Sequence, residues 1–107
     1  MGFFGDSQQE KELKTLMQQA SETMNKLVDN ANANPTITAY ARTLINQLGN
    51  EVNLLYIKSE TLSPAKQMSM QVTIGGYSVP FANGKIGFVM FMNDFTRRTG
   101  ERFPHFT

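Results

Sequence analysis

The residues best equipped for chemistry lie toward the C-terminal end, where Arg97, Arg98 and Arg102 are interleaved with Phe95, Phe103 and Phe106. Guanidinium groups pair with phosphates and aromatic rings stack on bases, the combination used by single-stranded nucleic-acid binders. Phenylalanines can equally anchor a protein partner, because buried aromatic side chains dominate such interfaces. The same segment can also dock on the chain's own core or stay unstructured, as chain ends often do. Arg97, Arg98, Arg102, Phe103 and Phe106 are therefore the candidate partner-binding residues. A protein partner ranks ahead of nucleic acid, because three arginines are few for a nucleic-acid face.

Catalysis finds less to work with. The single histidine, His105, lies between Pro104 and Phe106 near the end of the chain, where a general base is rarely held against a substrate. The absence of cysteine removes thiolate nucleophiles, thiolate metal ligands and disulfides. Glu10/Glu12 and Glu22/Asp29 are carboxylate pairs, but they share a helix face with lysines and read as solvated surface. Gly84-x-x-Gly87 has the spacing of a short phosphate-clamping glycine loop. That loop joins two helices, whereas this segment is expected to open a strand. No catalytic residue, metal ligand or cofactor is expected.

The elements that must position these residues begin with a capping box, Ser7 to Glu10, in which the hydroxyl accepts the amide three residues on. Behind it Leu13, Met17, Ala20, Met24, Leu27 and Ala31 recur at steps of three and four. This narrow seam predicts a helix over 7–31 that packs on another helix. Asn34 as cap, Pro35 at the first helical position and Gly49 as terminator predict a second helix over 35–48. The short connection makes the pair an antiparallel hairpin. At 1.5 Å per residue the two helices would measure about 37 Å and about 21 Å. Leu13, Met17, Ala20 and Met24 therefore lie on a seam that overhangs its partner, to be covered by the sheet or by a second protomer. These four residues are the candidate self-association surface, and a two-fold homodimer is its natural form.

Residues 51–58 suit a strand by their β-branched and aromatic content, with one or two further helical turns as the alternative. From Gln67 the period becomes two, with Met68, Met70, Val72 and Ile74 on one face. Gly75-Gly76 reads as a two-residue hairpin turn setting Ile74 against Tyr77 and Val72 against Val79. Asn83-Gly84 reads as a second turn, setting Phe81 against Ile86, Val79 against Phe88 and Tyr77 against Met90. Together they predict a β-meander over 67–92, followed by an irregular tail over 93–107. Pro80 objects, since a proline cannot donate to a central ladder.

The expected architecture is thus α+β: an N-terminal antiparallel helical hairpin packed on a three- or four-stranded antiparallel sheet, within one domain over 1–107. Length and composition agree with a globular domain: 107 residues, 40% hydrophobic and 18% charged. Residues 1–60 carry five basic and seven acidic side chains and residues 61–107 carry five and two, so the halves differ in sign at −2 and +3. No apolar run approaches the roughly 20 residues of a membrane-spanning helix. Phe3-Phe4 reads as a hydrophobic staple on the first helix rather than a leader, and Asp6 replaces the hydroxyl residue that N-myristoylation wants. A cytoplasmic, non-enzymatic interaction module of accessory, adaptor or inhibitor type is the function expected, a homodimer with a further protein partner. Weak single-stranded nucleic-acid binding by the tail is the alternative.

Overall fold

A computed structural model describes residues 7–106; the staple expected at Phe3-Phe4 lies outside them. The chain runs α1 (Gln8–Ala33), α2 (Ala39–Lys58), α3 (Pro64–Ser69), β1 (Gln71–Ile74), β2 (Tyr77–Pro80) and α4 (Phe81–Thr99). The fold is α+β and mostly helical. Its sheet has two antiparallel strands, not the three or four expected.

α1 forms as its seam predicts. Ser7 Oγ accepts the Glu10 amide at 3.2 Å, while the Glu10 carboxylate turns to the Ser7 hydroxyl and to Lys66 Nζ at 3.2 Å. α2 packs antiparallel beside it, completing the predicted helical hairpin. Its boundaries differ from those predicted. Thr38, not Asn34, caps it, accepting from Ala41 N at 3.0 Å and donating to Asn30 Oδ1 at 2.9 Å. At the other end α2 runs straight through Gly49, so 51–58 is helix rather than strand. Leu44, Leu48, Val52 and Leu55 are all buried at helical spacing, and this stripe outweighs the β-propensity of the segment. Gly49 ends nothing: a Cβ there would meet Pro104 Cδ at 2.6 Å and Pro104 O at 2.8 Å. It is small because the C-terminal segment crosses α2 at that point.

Ser63 caps α3 through the Lys66 amide at 3.1 Å, with Pro64 at the first helical position. The alternation of Met68 and Met70 is therefore helical surface followed by a strand entrance, with Met68 51% exposed and Met70 buried. β1 and β2 pair in the predicted register, Ile74 with Tyr77 and Val72 with Val79. Gly75 and Gly76 turn the chain at φ +59° and +84°, values that a side chain would strain. The Phe81 amide still reaches Met70 O at 2.7 Å.

There the meander stops. Pro80 is the N-cap of α4, and its missing N–H donor costs nothing at a helix entrance. Asn83-Gly84 is no turn but the first turns of α4. Phe81, Lys85, Phe88, Met92 and Phe95 follow at steps of four, three, four and three on the buried face, while Ile86 and Met90 are exposed. Phe81 and Ile86, matched by strand arithmetic, thus lie on opposite sides of a helix, and Tyr77 and Met90 belong to β2 and to α4 rather than to paired strands. Gly84 sits where α4 crosses the hairpin and α1, its Cβ position 3.0 Å from Ile74 Cδ1 and 3.1 Å from Met17 Cε. Gly100 ends the helix in the left-handed conformation at φ +80°.

The final segment is docked. Phe103 is fully buried against Phe95, with the rings edge-on at 5.8 Å. Phe106 lies 6.0 Å from the Tyr56 ring. His105, in a left-handed conformation at φ 73°, places Nε2 3.0 Å from Asn50 Oδ1, and Glu101 pairs with Arg42 at 3.3 Å. The irregular tail over 93–107 is therefore corrected twice: 93–99 is the last part of α4, and 100–106 is a strap across α2.

Candidate functional site

The two surfaces expected from sequence are largely spent inside the molecule. Leu13, Met17 and Ala20 are each 0% exposed, and Met24 is half-buried at the core margin. α2 is longer than predicted and its C-terminal end reaches back along α1: Gln9 donates to Thr61 Oγ1 at 2.7 Å, and Lys58 pairs with Glu12 at 2.9 Å. The hairpin also packs on α1. No seam overhangs, and the self-association surface expected at Leu13, Met17 and Ala20 is not on the outside.

The C-terminal candidates separate by type. Arg97, Arg98 and Arg102 are exposed. Arg97 and Arg98 lie in the last turn of α4, where positive charge complements the helix dipole, and both pair with Asp94. Arg97, hydrogen-bonded to that carboxyl, is the main influence holding Asp94 below the usual carboxylate range. Phe103 and Phe106 turn inward onto Phe95 and Tyr56. The structure thus divides the arginine–aromatic set, leaving guanidinium groups outside and rings within.

Two features invisible to strand arithmetic take their place. The first is an apolar groove of about 500 Å³ between the β-hairpin, α4 and α1. Met24, Ile74, Tyr77, Val79, Phe88 and Phe91 form its walls, and among the described residues no carboxylate, lysine, arginine or histidine lines it. Tyr77 stands 76% exposed at its edge. Gly87 leaves a bare stretch of helix, with nothing within 4 Å of where a Cβ would sit. Beside it on the same helix rise Ile86 and Met90, 54% and 65% exposed. A hollow and an apolar ridge therefore lie side by side on α4.

The second feature is Lys85, only 9% exposed at a core position of α4. Its Nζ donates to Ser59 Oγ at 2.9 Å, and the Ser59 hydroxyl donates in turn to Tyr56 O at 3.3 Å. The ammonium lies over the Tyr56 ring at 4.5 Å and the Phe81 ring at 5.6 Å, a cation–π arrangement. Burial pulls the Lys85 pKa down and pushes that of the Tyr56 hydroxyl up. Among the described residues no carboxylate pairs with this lysine. A helical reading of 81–99 would have found it, because Lys85 then falls among Phe81, Phe88, Met92 and Phe95 on the buried stripe.

A larger cleft of about 630 Å³ lies where the α1–α2 connection meets the end of α4, but its two arginines, Arg42 and Arg98, are already paired with Glu101 and Asp94. Among the described residues there is no group of three His, Cys, Asp or Glu side chains that could hold a metal ion. Nor is any helix among them long and apolar enough to cross a membrane. No family model, curated protein or solved structure matches the chain.

Proposed function

We propose that the protein is a non-enzymatic interaction module that docks a second copy of itself through the groove beside α4. The observation that carries this reading is the hollow over Gly87 next to the exposed Ile86 and Met90. A two-fold interface uses the same patch on both subunits and so needs one that complements itself. A ridge and a hollow of matching chemistry on one helix meet that need. With one α4 crossing another, Ile86 and Met90 of each copy enter the groove of its mate. The groove's lack of charge favours an apolar occupant, and contiguous exposed apolar surface of this kind marks interaction sites. Tyr77 at the edge adds a large amphipathic side chain of the type that interfaces favour.

Sedimentation equilibrium of the full chain tests the reading. Between about 5 and about 200 µM the mean mass should climb above the 12.0 kDa of one chain toward twice that value, as dissociation constants in this range require. Replacing both Ile86 and Met90 with Glu should return it to the single-chain mass. A strict monomer at the highest concentration overturns the proposal.

Nucleic-acid binding is the second reading, supported by the exposure of Arg97, Arg98 and Arg102. With the rings turned inward only phosphate contacts are left to it, and three of these on a single strand give a log–log salt slope of about −2. Titration of a labelled single-stranded oligonucleotide in low salt separates the readings, and the interaction module expects no binding at about 100 µM protein.

A further inference from the structure

Lys85 has three N–H donors and, among the described residues, uses one. Ser59 Oγ takes that one, and aromatic faces at 4.5 and 5.6 Å supply the rest of its surroundings. A buried ammonium is ordinarily paired, because removing the charge from water is costly without an opposing group. Among the described residues no carboxylate opposes it, and Lys85 opens onto space. It forms part of the wall of a cleft of about 450 Å³ otherwise lined by Tyr56, Ile57, Glu60, Leu62, Pro64 and Gln67.

The chemistry of that wall restricts what can enter. The Gln67 amide is committed, donating to Ser59 O at 3.1 Å and Leu62 O at 3.2 Å, and so pins the 59–63 loop in place. Lys85 is therefore the cation that an anion would meet, with two donors left for two acceptor oxygens. Ile57, Leu62 and Pro64 offer apolar surface beside it. Glu60, exposed in the lining, works against a doubly charged ligand.

We propose that this cleft binds a small monocarboxylate with a short aliphatic body, its two oxygens on Lys85 Nζ and its chain against Ile57, Leu62 and Pro64. The site is distinct from the groove beside α4, on which nothing in this assignment depends. Displacement of water by the carboxylate would complete the coordination of an ammonium that Ser59, Tyr56 and Phe81 already hold at a fixed point. Desolvation also strengthens charge pairing within such a cleft, consistent with the lowered pKa of Lys85.

The test is a heteronuclear NMR titration of the full chain with sodium hexanoate, alongside hexan-1-ol and inorganic phosphate. Hexanoate should move the signals of Tyr56, Ile57, Leu62 and Lys85 saturably, with a Kd of about 1 mM or tighter, within the efficiency expected of so small a ligand. Hexanol should bind at least about tenfold more weakly, since it keeps the aliphatic body and loses the charge. Lys85→Met should abolish the difference between the two. Because the hexanol comparison is made on the unaltered protein, it stands even if that variant folds poorly. Equal binding of hexanol and hexanoate, phosphate binding in preference to hexanoate, or no saturable shift would each overturn the proposal. An acetylated tripeptide ending in a free leucine carboxylate separates a small acid from a peptide terminus. Tighter binding of the peptide than of hexanoate would reassign the site to chain ends.

Discussion

At Gly49 an added methyl group would meet both the ring and the carbonyl oxygen of Pro104, at 2.6 and 2.8 Å. The oxygen belongs to a backbone fixed on either side by buried Phe103 and by Phe106, so the clash cannot be relieved by a side-chain rotation. Gly49→Ala should destabilise by about 1–3 kcal/mol, even though alanine is the better helix former by about 1 kcal/mol. At Gly87 the surroundings are empty, and Gly87→Ala should stabilise by up to about 1 kcal/mol. Urea unfolding of the two variants side by side checks both signs. Lys85 makes a prediction in pH. Burial lowers its pKa, so between that value and the ordinary lysine value of about 10.4 the unfolded chain binds more protons than the folded one. Stability contributed at this site should therefore rise with pH through that window. Tyr56 acts in the opposite sense above about pH 10, because its raised pKa keeps the proton on the folded chain. Subtracting the pH profile of Lys85→Met from that of the unaltered protein isolates the lysine, and a flat difference up to pH 10 would contradict the assignment.

Among the elements, strand reasoning misplaces most of α4, and Asn83 distinguishes the alternatives. In a type I′ turn Asn83 would supply the left-handed conformation, and alanine would be strained there. In the first turn of a helix with an exposed side chain, Asn83→Ala should instead raise stability by a few tenths of a kcal/mol. The Gly75-Gly76 turn was legible because its chemistry is local: positive φ at both residues and two flanking residues on each side decide it. The Asn83-Gly84 signal is just as local, yet Pro80 decided against it by denying a fourth strand its donor and offering a helix entrance instead. The same holds for 51–58, where Val52 and Leu55 continue the stripe of Leu44 and Leu48, and where Gly49 imitated a terminator. The C-terminal strap carries the largest expected cost. Phe103→Ala empties a fully buried ring site and should destabilise by about 3–5 kcal/mol. Arg97→Ala and Arg98→Ala, which remove exposed pairs to Asp94, should each cost far less. Thermal unfolding of the three single variants orders them, and a tail whose rings served a partner would show the reverse pattern in the isolated protein.

For the whole molecule, assembly and stability are linked. If the groove beside α4 takes a second copy, the folded dimer is favoured by mass action. The unfolding temperature should then rise with protein concentration over about two decades, and the Ile86→Glu/Met90→Glu pair should remove that dependence. A concentration-independent transition in the unaltered protein would speak against assembly in the same experiment. Charge is not expected to drive the contact: none of the described residues lining the groove is ionised, and Arg97 and Arg98 share the Asp94 carboxylate in the last turns of α4. Salt should accordingly have little effect on the dimer, in contrast to any binding of nucleic acid through the arginines.

The long first helix, the helical hairpin and the Gly75-Gly76 turn with its register are legible in the order of residues, because capping, periodicity and glycine conformation are properties of neighbouring residues. Tertiary structure alone decided which helical face stayed outside. Leu13 and Met17 are available only beside an α2 that stops at Gly49, and Phe103 and Phe106 only in a tail with nothing beside it. Ile86, Gly87 and Met90 became a surface, and Lys85 a buried cation, once 81–99 closed as a helix. Burial depends on what the remainder of the chain brings alongside. The Pro104–Gly49 and Lys85–Ser59 contacts join residues 55 and 26 positions apart, beyond the reach of any local pattern.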